Sequence, residues 1–460
     1  MSATVTAPLD ASTSTGGRPA PLGSTYRFEL VKLVAPWRMR AVIAVCWLAP
    51  ALFVAAVSRQ SSLPSDTVFG RWMHATGWAG ALVVLAFCCS WGLPLLTSLV
   101  AGDTFAVEDR LGTWRHLMLA VRSPRRIFWA KTLASLTVIG LLLLGLAASA
   151  IAGGLLAAGN HPLVGLDGHP FGPGAAAGRV LLAWAAVLPP TLAFAAVGLL
   201  GSVLLGRSPL GLLVPAVLAL ALNLVQLLPL PVALRLALPS AAFVTWRGLF
   251  TDPVQAGPLV VGLAVDLAWA AVALGVAYRL FLRRDFADLA NDGAGRRALT
   301  AAVVPLAALT GVSVLALTTL SPATGSGVEK GKLEQSLSTV FAHLYRLQNA
   351  ELHRPDVTEQ QLRTSTACDK GGDLVDDVGP GNDWRCVVSW HMPGSAVVGS
   401  AIYQLDVTAD GRYVADGDGP KEVNGFFTVH TVQGDLPNPL WQVDGLIDLL
   451  NPTTQHSTKE

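Results

Sequence analysis

The sequence predicts a mainly α-helical, polytopic membrane protein that ends in a small α+β domain. Three observations lead to this fold class. Hydrophobic residues make up 52% of the 460 residues and charged residues only 14%, against about 25% charged residues in an average soluble protein. The charge deficit lies within residues 41–320, whose apolar stretches are long enough to cross a bilayer. Residues 321–460, in contrast, have the composition of an ordinary soluble domain.

The chain begins with a polar tail. Residues 1–24 are small, polar and rich in Pro and Gly, which predicts a disordered cytoplasmic segment. They lack the order of a signal peptide, in which basic residues precede an apolar run.

Residues 25–320 are predicted to form the transmembrane domain. A spanning helix needs roughly 20 mainly apolar residues to cross about 30 Å of hydrocarbon. Seven stretches meet this requirement: 41–58, 76–100, 130–156, 179–204, 209–228, 258–280 and 298–320. The stretch 229–257 is also apolar, but prolines and Arg235 and Arg247 interrupt it. It is therefore predicted to form one or two short helices that enter the membrane from one side.

Positive charge between the predicted spans indicates their orientation, because Lys and Arg are retained in cytoplasmic loops. Basic residues occur before the first span and between spans two and three, four and five, and six and seven. These segments share the cytoplasmic side if the N-terminus is inside. An odd number of spans then makes the domain 321–460 extracellular. The excess of Arg over Lys, with abundant Ala, Gly and Leu, is typical of bacterial coding rich in G and C, and favours the bacterial plasma membrane.

The C-terminal domain is predicted to contain helices within 333–364, followed by antiparallel strands that turn at Asp410 and Gly411. It also contains two of the five cysteines, Cys368 and Cys386. An oxidising exterior favours a disulfide between them. The alternative is a metal site, but two Cys without clustered His are poor zinc ligands. We therefore expect a disulfide and no metal.

A basic segment, "VEDRLGTWRHLMLAVRSPRRIFWAK", begins at Val107 and contains six Lys or Arg. Retention of positive charge in the cytoplasm explains the number of basic residues but not their order. Acidic residues come first, then a Gly-Thr-Trp turn, an amphipathic stretch, and Pro124 ahead of a span that begins near Lys131. Acids at the start of a helix and bases at its end suit the helix dipole. The order predicts a short helix along the membrane surface, able to dock into a soluble partner.

This segment resembles the cytoplasmic coupling loop of permease subunits in the type 2 class of ATP-binding cassette exporters. The residues that match the family pattern are Glu108, Gly112, Thr113, Leu117, Arg125 and Lys131. The stretch "TYRFELVKLVAPWRMR" is similar to the family's interfacial helix, and 229–257 is similar to its re-entrant helices, so the resemblance covers residues 25–285. The seventh span and the external domain depart from the family pattern. Parts of that domain resemble domains appended to some actinobacterial permeases.

The resemblance implies that the loop 107–126 contacts a cytoplasmic ATPase subunit. The residues it assigns to this coupling are Glu108, Asp109, Arg110, Gly112, Thr113, Trp114, Arg115, Arg125 and Arg126. It also implies a second permease copy or a related permease, contact with membrane lipid, and export of an amphipathic, lipid-like or natural-product molecule. No nucleic-acid partner is expected.

The chain itself is not expected to hydrolyse ATP. A phosphate-binding loop reads G-x-x-x-x-G-K-[ST], and the nearest stretch, "GSGVEKGKL", has Ser326 in place of the first Gly and Leu333 in place of the hydroxyl residue. No cofactor is therefore expected in this chain, and ATP and Mg²⁺ are assigned to the partner ATPase. The alternative is a membrane-anchored structural or sensory protein that displays its external domain and transports nothing.

Three residues within the predicted spans are candidates for a substrate path. Asp266 lies in the sixth span, where a carboxylate is costly and by default a functional hypothesis. The alternatives are a structural hydrogen bond to a neighbouring helix and a water-filled vestibule. Pro189 and Pro190 are expected to kink the fourth span.

Overall fold

The computed structural model describes residues 20–60, 75–206, 210–284, 296–320 and 325–450, apart from 373, 393, 395 and 433. The protein is mostly helical, with a separate β-sheet region at the C-terminus. Most of the predicted tail 1–24 lies outside the described residues. The first helix begins at Leu22, three residues before the predicted start of the transmembrane domain.

The helical part begins with α1 (Leu22–Val34) and α2 (Trp37–Ser58). A long helical stretch follows, made of α3 (Gly77–Phe87), a π-helical turn (Cys88–Gly92) and α4 (Leu93–Ala101). The basic segment forms α5 (Ala106–Leu111) and α6 (Trp114–Val121), and leads into α7 (Pro124–Ala158). The remaining long helices are α8 (Pro173–Ala186), α9 (Leu188–Leu205), α10 (Leu210–Gln226), α13 (Gly257–Leu282) and α14 (Arg296–Leu320). Two short helices, α11 (Val232–Leu236) and α12 (Ala242–Thr245), and a 3₁₀ turn (Trp246–Phe250) lie between α10 and α13.

Six helical stretches in the described chain are long and apolar enough to cross a membrane: Trp37–Ser58, Gly77–Leu111, Pro124–Ala158, Pro173–Leu205, Gly257–Leu282 and Leu299–Leu320. They correspond to six of the seven predicted spans. The predicted span 209–228, whose first residue lies outside the described chain, corresponds to α10, which has 17 described residues. At 1.5 Å per residue it is about 25 Å long, somewhat less than the roughly 30 Å of a hydrocarbon core. The protein therefore has the helices of a multi-pass membrane protein.

Prolines stand at the irregular points of two predicted apolar stretches. The fourth predicted span breaks at Val187, and Pro189 and Pro190 stand in the first turn of α9. Proline is tolerated there because the first turn of a helix leaves its N–H groups unpaired. The interrupted stretch 229–257 forms two short helices and a 3₁₀ turn, as its prolines predict.

The C-terminal region combines α15 (Lys330–Glu351) and α16 (Glu359–Leu362) with a five-stranded antiparallel sheet. The sheet has the strand order β3-β4-β5-β6-β9, with strands β3 (Ser365–Lys370), β4 (Gly381–His391), β5 (Val398–Val407), β6 (Arg412–Gly419) and β9 (Gln442–Leu446). Two short hairpins, β1–β2 (Leu163–Val164 and Pro170–Phe171) and β7–β8 (Thr428–Thr431 and Gly434–Pro437), lie outside it.

Strand alternation builds the core of this domain. Along β4, Trp384, Cys386, Val388 and Trp390 are buried at every second position, because successive side chains of a strand face opposite sides of the sheet. The predicted disulfide is present, since Cys368 on β3 stands directly opposite Cys386 and is bonded to it. The hairpin between β5 and β6 contains the predicted turn at 410–411.

The same core extends into the membrane-associated part of the chain. Val232 and Leu236 of α11 and Ala241 before α12 belong to one buried cluster with the side chains of the sheet. Polar contacts add to this junction: Arg247 is paired with Asp410 at 2.9 Å. The C-terminal domain is therefore packed on the short helices rather than tethered by a linker alone.

Candidate coupling site

The basic segment folds as two short helices joined by a sharp turn. Helix α5 ends at Gly112, whose φ of 64° is left-handed, a conformation that glycine adopts with little strain. Helix α6 ends in the same way at Arg122, with φ 57°. Pro124 is then the first residue of α7, so the helix begins about two turns ahead of Lys131. The predicted turn and the predicted break before the span are both present.

A buried cluster of charges fixes α5 to its neighbours. Lys131 of α7 donates from Nζ to Glu108 at 2.7 Å and to Glu29 of α1 at 2.9 Å. These three side chains are 2%, 0% and 3% exposed, respectively. Lys32 of α1 and the Thr113 hydroxyl also donate to the Glu108 carboxylate. Two carboxylates and two ammonium groups leave the cluster neutral, which is what burial of charge requires.

A second carboxylate connects the segment to Arg284, two residues beyond the end of α13. Asp109 accepts a hydrogen bond from Trp114 Nε1 at 2.7 Å. It also pairs with both terminal nitrogens of Arg284, one of them at 2.9 Å. A guanidinium group that forms two bonds to one carboxylate holds a defined geometry. The Asp109 side chain therefore joins α5 and α6 to the residue that follows the C-cap of α13.

Aromatic packing completes this attachment. The rings of Phe105, Phe128 and Phe281 are 5.2–5.6 Å apart between centroids, within the range of favourable aromatic pairs. Trp114 lies 5.4 Å from Phe281. At the start of α5, the backbone N–H groups of Phe105 and Ala106 both donate to the Ser202 hydroxyl of α9 at 2.9 Å. The segment is thus anchored to α7, α9 and α13 at once.

The opposite side of the segment faces outward. In α6, Trp114, Leu117 and Val121 are buried on one face, as expected of an amphipathic helix. Leu111 and Leu119 remain 64% and 70% exposed. The outward side also includes Arg110, Gly112, Arg115, His116 and Arg125. The result is a basic surface with two prominent leucines, which we call the docking face.

Several of the predicted coupling residues are buried or bound within the protein instead of lying at its surface. Glu108 was expected to contact the partner directly, but its carboxylate is fully buried because it neutralises Lys131. Asp109 and Trp114 are also buried, and Thr113 is engaged with Glu108. Arg126 donates to the Ala20 carbonyl at 2.7 Å. These residues position the segment, whereas Arg110, Gly112, Arg115 and Arg125 lie at its surface.

Sequence reasoning missed the residues that hold the segment from outside it: Glu29, Lys32, Ser202 and Arg284. For Glu29 and Lys32 the available signal was the presence of charges in apolar surroundings. Glu29 and Lys32 are three residues apart and therefore share a face of α1, which is where the partners of Lys131 and Glu108 are found.

The predicted substrate-path residues lie on helices that pack together, α9 and α13. Asp266 of α13 is fully buried, and within the described residues neither of its carboxylate oxygens has a hydrogen-bond partner. One alternative for Asp266 was a structural hydrogen bond to a neighbouring helix. No such bond is present within the described residues.

No protein-family model matches the chain, and no curated protein matches it either. The resemblance of the basic segment to a coupling loop therefore stands on its residues alone. In the structure that segment is firmly attached to the helices on one side and exposed on the other.

Proposed function

We propose that this chain is the transmembrane permease subunit of an ATP-driven exporter of the ATP-binding cassette class. In this proposal it acts with a second copy or a related permease in the bacterial plasma membrane. It moves an amphipathic, lipid-like or natural-product molecule. ATP and Mg²⁺ bind to separate cytoplasmic ATPase subunits. The N-terminus and the loop 107–126 are cytoplasmic and the C-terminal domain is extracellular, as the distribution of Arg predicts.

One observation supports this proposal above the others. An element that transmits motion from a soluble partner must be exposed toward that partner and firmly attached to the spans. The segment α5–α6 has both properties, since its docking face exposes Leu111 and Leu119. Glu108 binds residues of α1 and α7, and Asp109 binds Arg284 just beyond α13. A loop that merely retained positive charge would not need buried carboxylates.

The contacts suggest how motion is transmitted. ATP binding closes the ATPase pair and displaces α6 in the proposed mechanism. The displacement reaches α7 through Glu108 and Lys131, and reaches the C-terminal end of α13 through Asp109 and Arg284, which follows the C-cap of that helix. ATP then shifts the population between inward-facing and outward-facing arrangements to the extent that the ATPases bind it more tightly in one of them.

The docking face can be tested with Leu119→Asp. The side chain is 70% exposed, so the substitution should leave the fold intact and remove apolar contact with the partner. The chain is affinity-purified from membranes of its native host in mild detergent. Co-purifying proteins are identified by mass spectrometry, and ATP hydrolysis of the eluate is measured.

The matched control is Leu374→Asp in the C-terminal domain, where Leu374 is 87% exposed. We expect wild type and Leu374→Asp to retain an ATPase. Leu119→Asp should lose at least about nine-tenths of it, since an unpaired carboxylate buried in an apolar contact is costly. Retention of full ATPase activity by Leu119→Asp would place the interface elsewhere. Absence of any nucleotide-hydrolysing companion in wild type would refute the proposed function.

A further inference from the structure

A cavity lies where the short helices α11 and α12 meet the C-terminal sheet. Its volume is about 480 Å³, within the range of roughly 300–1,000 Å³ found for small-molecule sites. The helices contribute Val232, Leu236 and Val244 to its wall, and the sheet side contributes Val407, Leu446 and Ile447. Residues from the short helices and from the sheet thus line one largely apolar space.

A buried arginine opens onto this space. Arg235 of α11 lines the cavity and is 4% exposed. Its Nε donates to Gln226 Oε1 at 3.2 Å. In the part of the chain that the structure describes, its two Nη atoms form no hydrogen bond or ion pair. A buried guanidinium group with unpaired donors is costly unless a ligand or water satisfies it.

The acidic residue nearest to this arginine is already engaged. Asp410, also in the cavity wall, pairs with Arg247 at 2.9 Å and accepts a hydrogen bond from the Thr408 hydroxyl at 2.6 Å. Arg412 of the wall is likewise paired, with Asp444. Asp410 also attracts Arg235 electrostatically, but no ion pair of the described residues includes Arg235, so its guanidinium is the one in the cavity wall without a direct ion pair.

We infer that this cavity binds a small amphipathic molecule with a single oxyanion group, a carboxylate or a phosphate. The two Nη atoms of Arg235 receive the oxyanion, since a guanidinium fork matches the geometry of both groups. The apolar part of the ligand lies against the valine and leucine side chains of the wall. The inference goes beyond the proposed transport function, because it requires no ATPase and no movement across the membrane.

The test uses the full chain in nanodiscs of phosphatidylcholine, with calorimetric titration of four probes. Octanoate and octyl phosphate carry the oxyanion, octanol is neutral, and octylamine is cationic at pH 7. Empty nanodiscs give the contribution of partition into lipid. We expect saturable binding of at least one of the two anions, at least about tenfold tighter than that of octanol, since hydrogen bonds to charged groups are the stronger ones.

Two variants separate the site from the lipid and from folding. Arg235→Gln should weaken anion binding at least about tenfold and leave octanol unchanged. Ala409→Trp, at another position of the cavity wall, should abolish binding by filling the space without altering charge. The matched control is Arg385→Gln, an exposed arginine of the same domain that pairs with Asp418. It should bind like wild type.

Three outcomes of these titrations would overturn the inference. Binding of octanol as tight as that of the anions, or absence of saturable binding for both anions, excludes an oxyanion site. Retention of full anion binding by Ala409→Trp with an intact fold excludes the cavity itself, and this variant decides the matter if Arg235→Gln does not fold.

Discussion

Substitution of Lys131 by Met tests whether the buried charges hold the docking segment in place. Lys131 is the only cation in contact with Glu29 among the ion pairs of the described residues, at 2.9 Å, and it also bonds Glu108 at 2.7 Å. Methionine has a similar length and preserves packing. The substitution therefore leaves the Glu29 carboxylate without a counter-ion, and Glu108 with Lys32 alone.

The magnitude follows from burial. Glu29 and Glu108 are 3% and 0% exposed, so water cannot replace the lost ammonium group. Removal of one partner from a buried pair costs about 3–5 kcal/mol. At about 2 °C per kcal/mol, the lower end of the range for chains of 150–250 residues, the unfolding midpoint should fall by roughly 6–10 °C.

The assay is thermal unfolding of the purified protein in nanodiscs, with Arg110→Ala as the matched control. Arg110 pairs with Asp103, but the two side chains are 37% and 31% exposed. Such pairs contribute about 0–1 kcal/mol, so the control should shift the midpoint by no more than roughly 2 °C.

A triple variant distinguishes the loss of charge balance from a loss of packing. Lys131→Met combined with Glu29→Gln and Glu108→Gln leaves no uncompensated buried charge, and Lys32, which is 35% exposed, can turn to solvent. The triple variant should recover at least half of the decrease in unfolding midpoint, because replacement of a whole buried charge cluster often changes the free energy of unfolding very little. A single variant within 1 °C of wild type, or a triple variant less stable than the single one, would refute the reasoning.

Three further predictions concern other parts of the molecule. Gly112→Ala should cost about 1 kcal/mol, because φ is 64° although a Cβ meets no atom within 4 Å, whereas Gly112→Asn should be nearly neutral; unfolding midpoints compare the two. Burial would raise the pKa of Asp410, but Arg247 and its other partners hold that pKa below its ordinary value. The stabilisation from the carboxylate is therefore present above pH ~4 and lost as the pH falls through the lowered pKa, so the difference in midpoint between wild type and Asp410→Asn should shrink below about pH 4. Replacing both Cys368 and Cys386 by Ser removes a disulfide that spans 18 residues and should destabilise the C-terminal domain by about 3 kcal/mol; limited proteolysis should then cleave it faster.

Much of the fold could be predicted from local patterns. Apolar length identified six of the candidate spans, and alternation along β4 identified the sheet. The disulfide followed from the two cysteines outside the spans. Proline positions marked the break before α9 and the short helices of 229–257. Each of these features depends on neighbouring residues in the sequence, and each needs no knowledge of which helices meet.

The arrangement of the site depended on contacts between distant residues. Glu108 looks like a surface acid in the sequence, and only its approach to Lys131 and Glu29 explains why it is buried. Arg284 is one of the basic residues between the sixth and seventh predicted spans that indicate the cytoplasmic side, but it also binds Asp109, 175 residues away. Such pairings are set by helix packing, which periodicity alone does not specify.

The most direct test of the central claim is photo-crosslinking from the docking face in living cells. A photoreactive amino acid replaces Leu119, and irradiated products are identified by mass spectrometry. The account predicts a crosslink to a cytoplasmic nucleotide-hydrolysing protein. A crosslink to an extracellular protein, or products that contain lipid alone, would contradict it.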